Sequence, residues 1–576
     1  MSAERTTMPA LRPASRLAGI EPYRPACGVP EDVLRLDANE GAPRTGDPAF
    51  GVDAAALCRY PDAAPLERQI ARRWGVDPAR VVATSGGDDA IDRLCRAVLE
   101  QDAEALLHTP TFVMIERGVV LAGGTPRRVP WIDGEFPAEP FIAAIGEQTR
   151  LVSLVTPNNP TGGVIKLEQI KTVAEAAARV GALVMADLAY TEFADADPTG
   201  ELLDLPNVVV VRTFSKALGL AGLRVGYAIA PPEVARWLRT VGSPYPVSSV
   251  SLAIAGDALE RERGRDAYVR RVRDERVKLS ARLASLGAEP STSQANFVTA
   301  RFRDTPFARR ALASLGVLVR GFGPDSGIGD CLRITLPGDA DGFARLGSAL
   351  AVALAPEALL FDLDGVLADV SASYRRTIVE TARSFGVEIS DDEVTTLKLA
   401  GEANNDWELT RTLLASKGVS VPLGEVTDRF QSLYLGADGS PGLREREDLI
   451  PPRALLERLG RRLSLAVVTG RPRGEAEWFL DRSGVRGLFG AVVCMEDAEP
   501  KPSPKPVRVA LEQLGVSSAW MVGDTPDDVV AARRAGVVPL GVCAPGDDPE
   551  PARAALLNAG AACVVRELSD LKEMMP

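Results

Sequence analysis

The sequence predicts an α/β protein built twice over, each time around a mostly parallel sheet, and three observations carry that prediction. Apolar, β-rich runs such as "RVVAT" (80–84), "RLVSLVTP" (150–157), "ALVMADL" (182–188) and "NVVVVRTFS" (207–215) have the length and composition of buried strands. Between them "DDAIDRLCRAVLE" (88–100) and "LEQIKTVAEAAARV" (167–180) carry helical spacing, and strands alternating with helices give parallel layers. After residue 354 a fresh series begins: "ALLFDLDG" (358–365), "LSLAVVTG" (463–470), "FGAVVCMED" (489–497) and "AWMVGDT" (519–525).

Residues 340–354 read as the last helix of the first series, and "APE" (355–357) is the only linker. So short a connection cannot act as a flexible tether, and the two halves are expected to dock. Between the first two strands of the second series, residues 370–455 read as a mostly helical insert. At 576 residues the chain is too long for one core.

With 46% apolar and 25% charged residues, the composition is that of a soluble globular protein. A net charge of -12 disfavours nucleic acid and anionic membranes as partners, since both repel an acidic surface. The seven cysteines lie far apart with no CxxC pair, which suits reduced thiols in a cytoplasmic protein and offers no zinc spacing. No apolar run is long enough to span a bilayer, and the opening residues contain no secretory core. His108 is the single histidine, so acid–base chemistry falls to Asp, Glu, Lys and Tyr or to a cofactor.

In the first half "VVVVRTFSKALGLAGLRVGY" (208–227) delivers Thr213, Ser215 and Lys216 at a strand's end, with Arg224 after a small-residue turn. Hydroxyls and an arginine suit a phosphate, and a lysine beside them suits a Schiff base with an aldehyde. "SGGDDA" (85–90) is a glycine turn opening a helix, where free N–H groups can hold a phosphate. "TPNNPTGG" (156–163) offers Asn159 from a turn, and "VMADLAY" (184–190) ends a strand on Asp187, a carboxylate able to keep a pyridine nitrogen protonated.

Residues 20–352 carrying these motifs resemble the fold-type-I pyridoxal-phosphate aminotransferases, and are most similar to histidinol-phosphate aminotransferases. The resemblance implies a large and a small domain, pyridoxal 5'-phosphate as cofactor and a homodimer. It makes Lys216 the Schiff-base and proton-shuttling lysine, pairs Asp187 with the pyridinium nitrogen, and sets Asn159 and Tyr190 on the ring hydroxyl. Gly87, Asp88, Thr213, Ser215 and Arg224 would hold the cofactor phosphate, with Tyr60 of "CRYPDAAP" reaching in from a partner subunit. Tyr23 in "EPYRP", Arg320 in "VLVRGF" and Arg333 in "CLRIT" match positions that bind the acidic end of the substrate. Two departures stand out: Phe112 where the family usually stacks a tyrosine on the ring, and Leu188 where a glutamate is common.

In the second half, phosphate-ester hydrolysis would need a nucleophile, a proton for the leaving oxygen and positive charge over the transferring group. "FDLDGVLAD" supplies Asp362 to attack and Asp364 to protonate the leaving alcohol and later activate water. "LAVVTGRP" adds Thr469 for a phosphate oxygen, "EPKPSPKP" adds Lys501, and "MVGDTPDD" adds Asp524 with Asp528 in support. Oxygen ligands beside a phosphate suit Mg²⁺, held by Asp362, Asp364, Asp524 and Asp528. Residues 357–573 resemble the haloacid dehalogenase superfamily of phosphatase type, a Rossmann-like domain, with the helical cap that follows the first motif. Within the cap, "LAGEANNDWELT" (399–410) gathers Glu402, Asp406, Trp407 and Glu408, read here either as a solvated helix face or as a surface that recognises an amine or imidazole.

The resulting organisation is a disordered tail (1–19), an aminotransferase (20–354), a linker (355–357) and a phosphatase (358–576). Consecutive steps on one chain would account for it: glutamate and imidazole-acetol phosphate giving histidinol phosphate, then removal of the phosphate. Another phosphorylated or aromatic amino acid, a phosphatase of different substrate, and a non-catalytic cofactor-binding regulator remain open beside that reading.

Overall fold

The computed structural model describes residues 32–40, 57–260, 262–400, 405–436 and 441–575. The tail at 1–19, Tyr23 and Glu402 lie outside them. The chain packs as two compact units that do not follow chain order: the first holds residues up to Arg303 and Val319–Ala344, the second Asp304–Leu318 and Arg345 onward.

At the centre of the first unit is a seven-stranded sheet in the order Val81–Thr84, Gly226–Ile229, Val208–Thr213, Leu183–Asp187, Thr149–Val155, Glu104–Thr109, Thr125–Pro130. Only Gly226–Ile229 runs antiparallel to its neighbours. Successive residues point to opposite faces, so each strand feeds two cores. Leu106, Val152, Val184 and Val210 enter one, while Leu107, Leu151, Met185 and Val209 enter the other. Burial on both faces explains why these strands read as unbroken apolar runs. The helices Gly86–Val98 and Leu167–Arg179 fall where the spacing predicts them.

A second sheet, antiparallel from Val317–Gly321 through Glu289–Pro290, has the order Leu34–Leu36, Val317–Gly321, Cys331–Thr335, Phe297–Arg301, Glu289–Pro290. The sequence reading did not isolate it, because its strands are short and their alternation is broken by polar residues.

The second unit carries a six-stranded, wholly parallel sheet: Ala491–Val493, Ser464–Val468, Ala358–Phe361, Ala519–Gly523, Val538–Val542, Cys563–Val565. Two of these strands, Val538–Val542 and Cys563–Val565, extend the four read from sequence. Ala368–Asp369 pairs with Asp448–Leu449, and helices Tyr374–Ser384, Asp391–Ala400, Asp406–Ser416 and Leu423–Leu435 lie between them as the insert. The helices Thr305–Ser314 and Ala340–Leu354 also reach this unit: Phe307 packs edge-on to Trp520 at 5.0 Å, and the Trp520 indole donates to the Val352 carbonyl at 3.0 Å. Among the described residues no helix is long and apolar enough to cross a membrane, and Cys58, Cys95, Cys331, Cys494, Cys543 and Cys563 are free thiols.

Candidate active sites

In the first unit the strand Leu183–Asp187 ends on Asp187, which is 5% exposed and accepts one backbone N–H, from Ala189. Burial pushes its carboxyl up to about 6, against the pull of that N–H. A buried acid so poorly compensated is suited to a cationic ring nitrogen. The neighbouring strand ends at Thr213, whose hydroxyl bonds Ser215 at 2.9 Å, and Lys216 follows. Lys216 Nζ lies 5.5 Å from the centre of the Tyr190 ring and donates to the Ala38 carbonyl at 3.4 Å.

The glycine turn is shaped for close approach. Gly86 has φ +80°, and a Cβ there would come within 2.7 Å of Arg224 Nη2. Arg224 pairs with Asp88 at 3.0 Å, and Gly87 opens the same helix N-terminus. Helix N–H groups, two hydroxyls and a guanidinium thus gather for a phosphate, Asp187 waits for a ring nitrogen and Lys216 for an aldehyde; this donor set fits pyridoxal phosphate.

Asn159 Oδ1 accepts from Arg333 Nη1 at 2.5 Å, and Arg333 Nη2 donates to the Asp37 carbonyl at 2.8 Å. Arg333 is buried, and across the antiparallel ladder its partner is the exposed Arg320. Two like charges directly opposite are unfavourable without an anion to share. Tyr60 is 80% exposed and stacks on Tyr245 at 4.5 Å. Phe112 stands half-buried before helix Val113–Leu121, while Leu188 is fully buried in the core, which accounts for an apolar residue there. Sequence reasoning missed Asn39, whose amide donates to the Tyr190 hydroxyl at 3.2 Å. His108 is buried; burial pushes it down to about 4, and its Nε2 accepts the Val155 N–H, so it serves the core as a neutral ring.

In the second unit Asp362, Thr469 and Asp524 follow the C-terminal ends of three adjacent parallel strands, where open α/β sheets place their sites. Asp362, Asp524 and Asp528 bring carboxylate oxygens within 4.8 Å of one another. Lys501 Nζ lies 2.8 Å from Asp362 and 2.5 Å from Asp528. Burial opposes the Lys501 charge, but Asp362 and Asp528 more than offset it and hold the amine above the lysine range. Burial pushes Asp362 up to about 7 despite Lys501, with Asp528 and Asp364 adding to the rise, and drives Asp524 well above the carboxylate range.

Asp524 Oδ1 is buried with no hydrogen-bond partner, so the oxygen-rich cluster fits Mg²⁺. Asp528 stands behind it, with Lys501 on Oδ1 and Thr525 on Oδ2. Gly365 has φ +71°, and a Cβ there would lie 2.3 Å from Asp524 Oδ2, so the turn after Asp364 requires glycine. The carboxylate of Asp364 is placed apart from this cluster, on Arg471. Arg471, unremarked in the sequence, is 2% exposed and also reaches Glu447 at 2.9 Å and the Tyr434 hydroxyl at 3.1 Å.

Each site has the furniture of a known class. Residues 53–349 match the family model described as aminotransferase class I and II, and 359–542 match that of haloacid dehalogenase-like hydrolases. The chain belongs to the class I and II aminotransferases and carries a haloacid dehalogenase-like domain after that part. It is 34% identical over 349 residues to a histidinol-phosphate aminotransferase of Paramagnetospirillum magneticum, covering 57% of this chain and 94% of the relative. A histidinol-phosphate aminotransferase structure from Sinorhizobium meliloti, solved with pyridoxal-5'-phosphate, superposes with a TM-score of 0.50 at 28% identity, covering 55% of this chain and 89% of that one. An imidazoleglycerol-phosphate dehydratase of Phytophthora nicotianae is 48% identical over 197 residues, 33% of this chain; the match spans less than half, 44%, of that relative's length.

Proposed function

We propose that the chain performs two consecutive reactions: transfer of an amino group from glutamate to imidazole-acetol phosphate, giving histidinol phosphate and 2-oxoglutarate, and hydrolysis of histidinol phosphate to histidinol and phosphate. One observation carries the reading. Two separately furnished centres, Asp187 with Lys216 and Asp362 with Lys501, stand in one chain whose first part is similar to histidinol-phosphate aminotransferases.

In the first centre bound pyridoxal phosphate supplies the electron sink. Asp187 holds the proton on its ring nitrogen, Asn159 and Tyr190 orient the ring hydroxyl, and Phe112 covers the ring face. Gly87, Asp88, Thr213, Ser215 and Arg224 fix the phosphate, and the Lys216 amine takes the proton from the amino-bearing carbon of glutamate and delivers one to the corresponding carbon of the acceptor. Arg320 and Arg333, with Tyr23, clamp the substrate's phosphate, which resolves the like-charge pairing of the two arginines. Tyr60, exposed in one chain, reaches the site of a second copy in a homodimer.

In the second centre Asp362 and Asp524, with Asp528 behind them, would hold Mg²⁺, which would neutralise charge on the phosphoryl group. Asp362 attacks phosphorus and forms an aspartyl-phosphate while Asp364 gives its proton to the departing alcohol; water activated by Asp364 then releases phosphate. Thr469 and Lys501 hold the phosphoryl oxygens.

The test is two assays on the purified protein. 2-Oxoglutarate should appear from glutamate only when imidazole-acetol phosphate is supplied. Phosphate release across histidinol phosphate, phosphoserine, phosphothreonine, pyridoxal phosphate and phosphoglycolate should favour the first, with Asp362→Asn as the blank. Preference for another ester would keep a phosphatase and overturn the pairing of steps.

A further inference from the structure

The insert holds a charged pair that the chemistry above does not use. Lys398, in helix Asp391–Ala400, places Nζ 3.1 Å from Asp406 Oδ1, and the two side chains are only 14% and 10% exposed. That oxygen makes no hydrogen bond. The helix it opens does not need it, because Asn405 already caps the Trp407 and Glu408 N–H groups. Asp406, Asn405 and Trp407 line a small cavity of about 30 Å³ together with Asp364, Arg471 and Met495. Glu408, by contrast, is spent on Arg411 at 2.5 Å, with a side chain 41% exposed. The cavity wall therefore contains one carboxylate whose ion pair is made by a lysine on a flexible stem, with the Arg375 guanidinium near enough to feel its charge.

Other carboxylates of this unit have cations of their own. Arg471 serves Asp364 and Glu447, Lys501 serves Asp362 and Asp528, and Arg375 serves Asp547 at 2.7 Å. A buried ion pair does little for stability, whereas a carboxylate left alone there is costly, so the Asp406 site demands a cation at all times. Lysine is a compact charge on four rotatable bonds and can withdraw when another ammonium arrives.

Resting on the phosphatase reading, we propose that Asp406 selects phosphate monoesters bearing a primary ammonium beside the ester carbon, the 2-aminoalkyl phosphates, and that the Lys398 ammonium keeps that place until such a substrate displaces it. Trp407 and Met495 provide the apolar wall against which the cation sits. An analogue without the charge leaves Lys398 where the ammonium would sit and gains no pairing with Asp406, so the site discriminates against it. This would separate the amine product of the first reaction from its ketone precursor, although both carry the same phosphate.

The experiment measures kcat and KM for phosphate release by the full-length protein with Mg²⁺, on histidinol phosphate and on its N-acetylated amine, which keeps the phosphate and ring but loses the ammonium. The wild type is expected to favour the amine at least tenfold in kcat/KM. Asp406→Asn, near-isosteric, should bring the ratio close to one mainly through KM. Lys398→Met should lower KM for the amine several-fold, because the competitor for Asp406 is gone. A wild-type ratio near one, or a ratio unchanged in Asp406→Asn, overturns the selection; a raised KM in Lys398→Met overturns the displacement, and that variant decides alone if Asp406→Asn does not fold. No phosphate release from either ester, or from the wider panel, overturns the phosphatase reading itself.

Discussion

The Arg471 guanidinium grips the Asp364 carboxylate, with Nε 2.6 Å from Oδ1, and is itself held by Glu447 and stacked 4.5 Å above the Tyr374 ring. Tyr374 belongs to the insert and Arg471 to the turn after strand Ser464–Val468, so one buried network joins the insert to the residue proposed to handle the leaving group's proton.

That network predicts two different outcomes at one position. Arg471→Met leaves Glu447, 1% exposed, as an uncompensated buried charge, and should destabilise by about 3–5 kcal/mol. Arg471→Lys keeps a charge but loses the planar fork, so Asp364 drifts; kcat for phosphate release should fall roughly 10²-fold, the size of a positioned acid–base contribution, with a smaller loss of stability. Thermal unfolding and steady-state kinetics on both variants check this. A Lys variant with wild-type kcat would show that Arg471 is structural alone.

The two chemistries should separate cleanly. Asp362→Asn should cost phosphate release at least about 10³-fold and leave 2-oxoglutarate formation intact, while Lys216→Met should do the reverse. Chelation of divalent metal should likewise silence phosphate release alone, since no carboxylate cluster like that of Asp362, Asp524 and Asp528 occurs elsewhere among the described residues. Parallel assays of both activities on each protein decide it.

Asp187 links cofactor binding to pH. Its folded-state carboxyl is raised to about 6 by burial, above the value near 4 of an unfolded chain, so the folded protein without cofactor binds that proton more tightly. Stability from this group is full below pH 4 and is lost as pH rises through about 6, by roughly 2–3 kcal/mol. Asp187→Asn should therefore raise the unfolding temperature of the cofactor-free protein at pH 7 but not at pH 4. It should also lower transamination by about 10²-fold or more, because a neutral amide cannot hold the ring proton. Unfolding midpoints at the two pH values, on dialysed protein, provide the check.

What the sequence made legible was the chemistry that sits at strand ends. Asp187, Thr213, Asp362, Thr469 and Asp524 each close an apolar run, and local pattern alone finds such residues. Arg471 lies two residues past Thr469 in a quoted motif, yet nothing local distinguishes it from a solvated arginine; Glu447, Tyr374 and Tyr434, which fix it, come from elements up to about a hundred residues away. Lys398 escaped for the same reason, because its partner Asp406 lies on another helix. Asp406 and Glu408 looked alike in sequence, and only packing shows that one lines a cavity while the other faces Arg411.

The packing around Trp520 was equally hidden, since Phe307 and Val352 belong by sequence to the first half. Trp520 is 1% exposed, its indole N–H bonded to Val352 and its ring against Phe307, and Arg310 Nε bonds the Ala562 carbonyl at 2.5 Å within the same unit. The helices Thr305–Ser314 and Ala340–Leu354 thus cover one flank of the parallel sheet whose strand ends carry Asp362 and Asp524. Trp520→Ala should cost about 3–5 kcal/mol, through lost burial and an unpaired Val352 carbonyl. For a unit of this size that is a fall of roughly 10 °C in unfolding midpoint. Phe307→Ala should lower the same transition, and phosphate release should disappear with it on heating. If Phe307→Ala left the temperature of phosphatase inactivation unchanged while Trp520→Ala lowered it, those helices would not contribute to the phosphatase's stability, and the domain would stand on its own from residue 358.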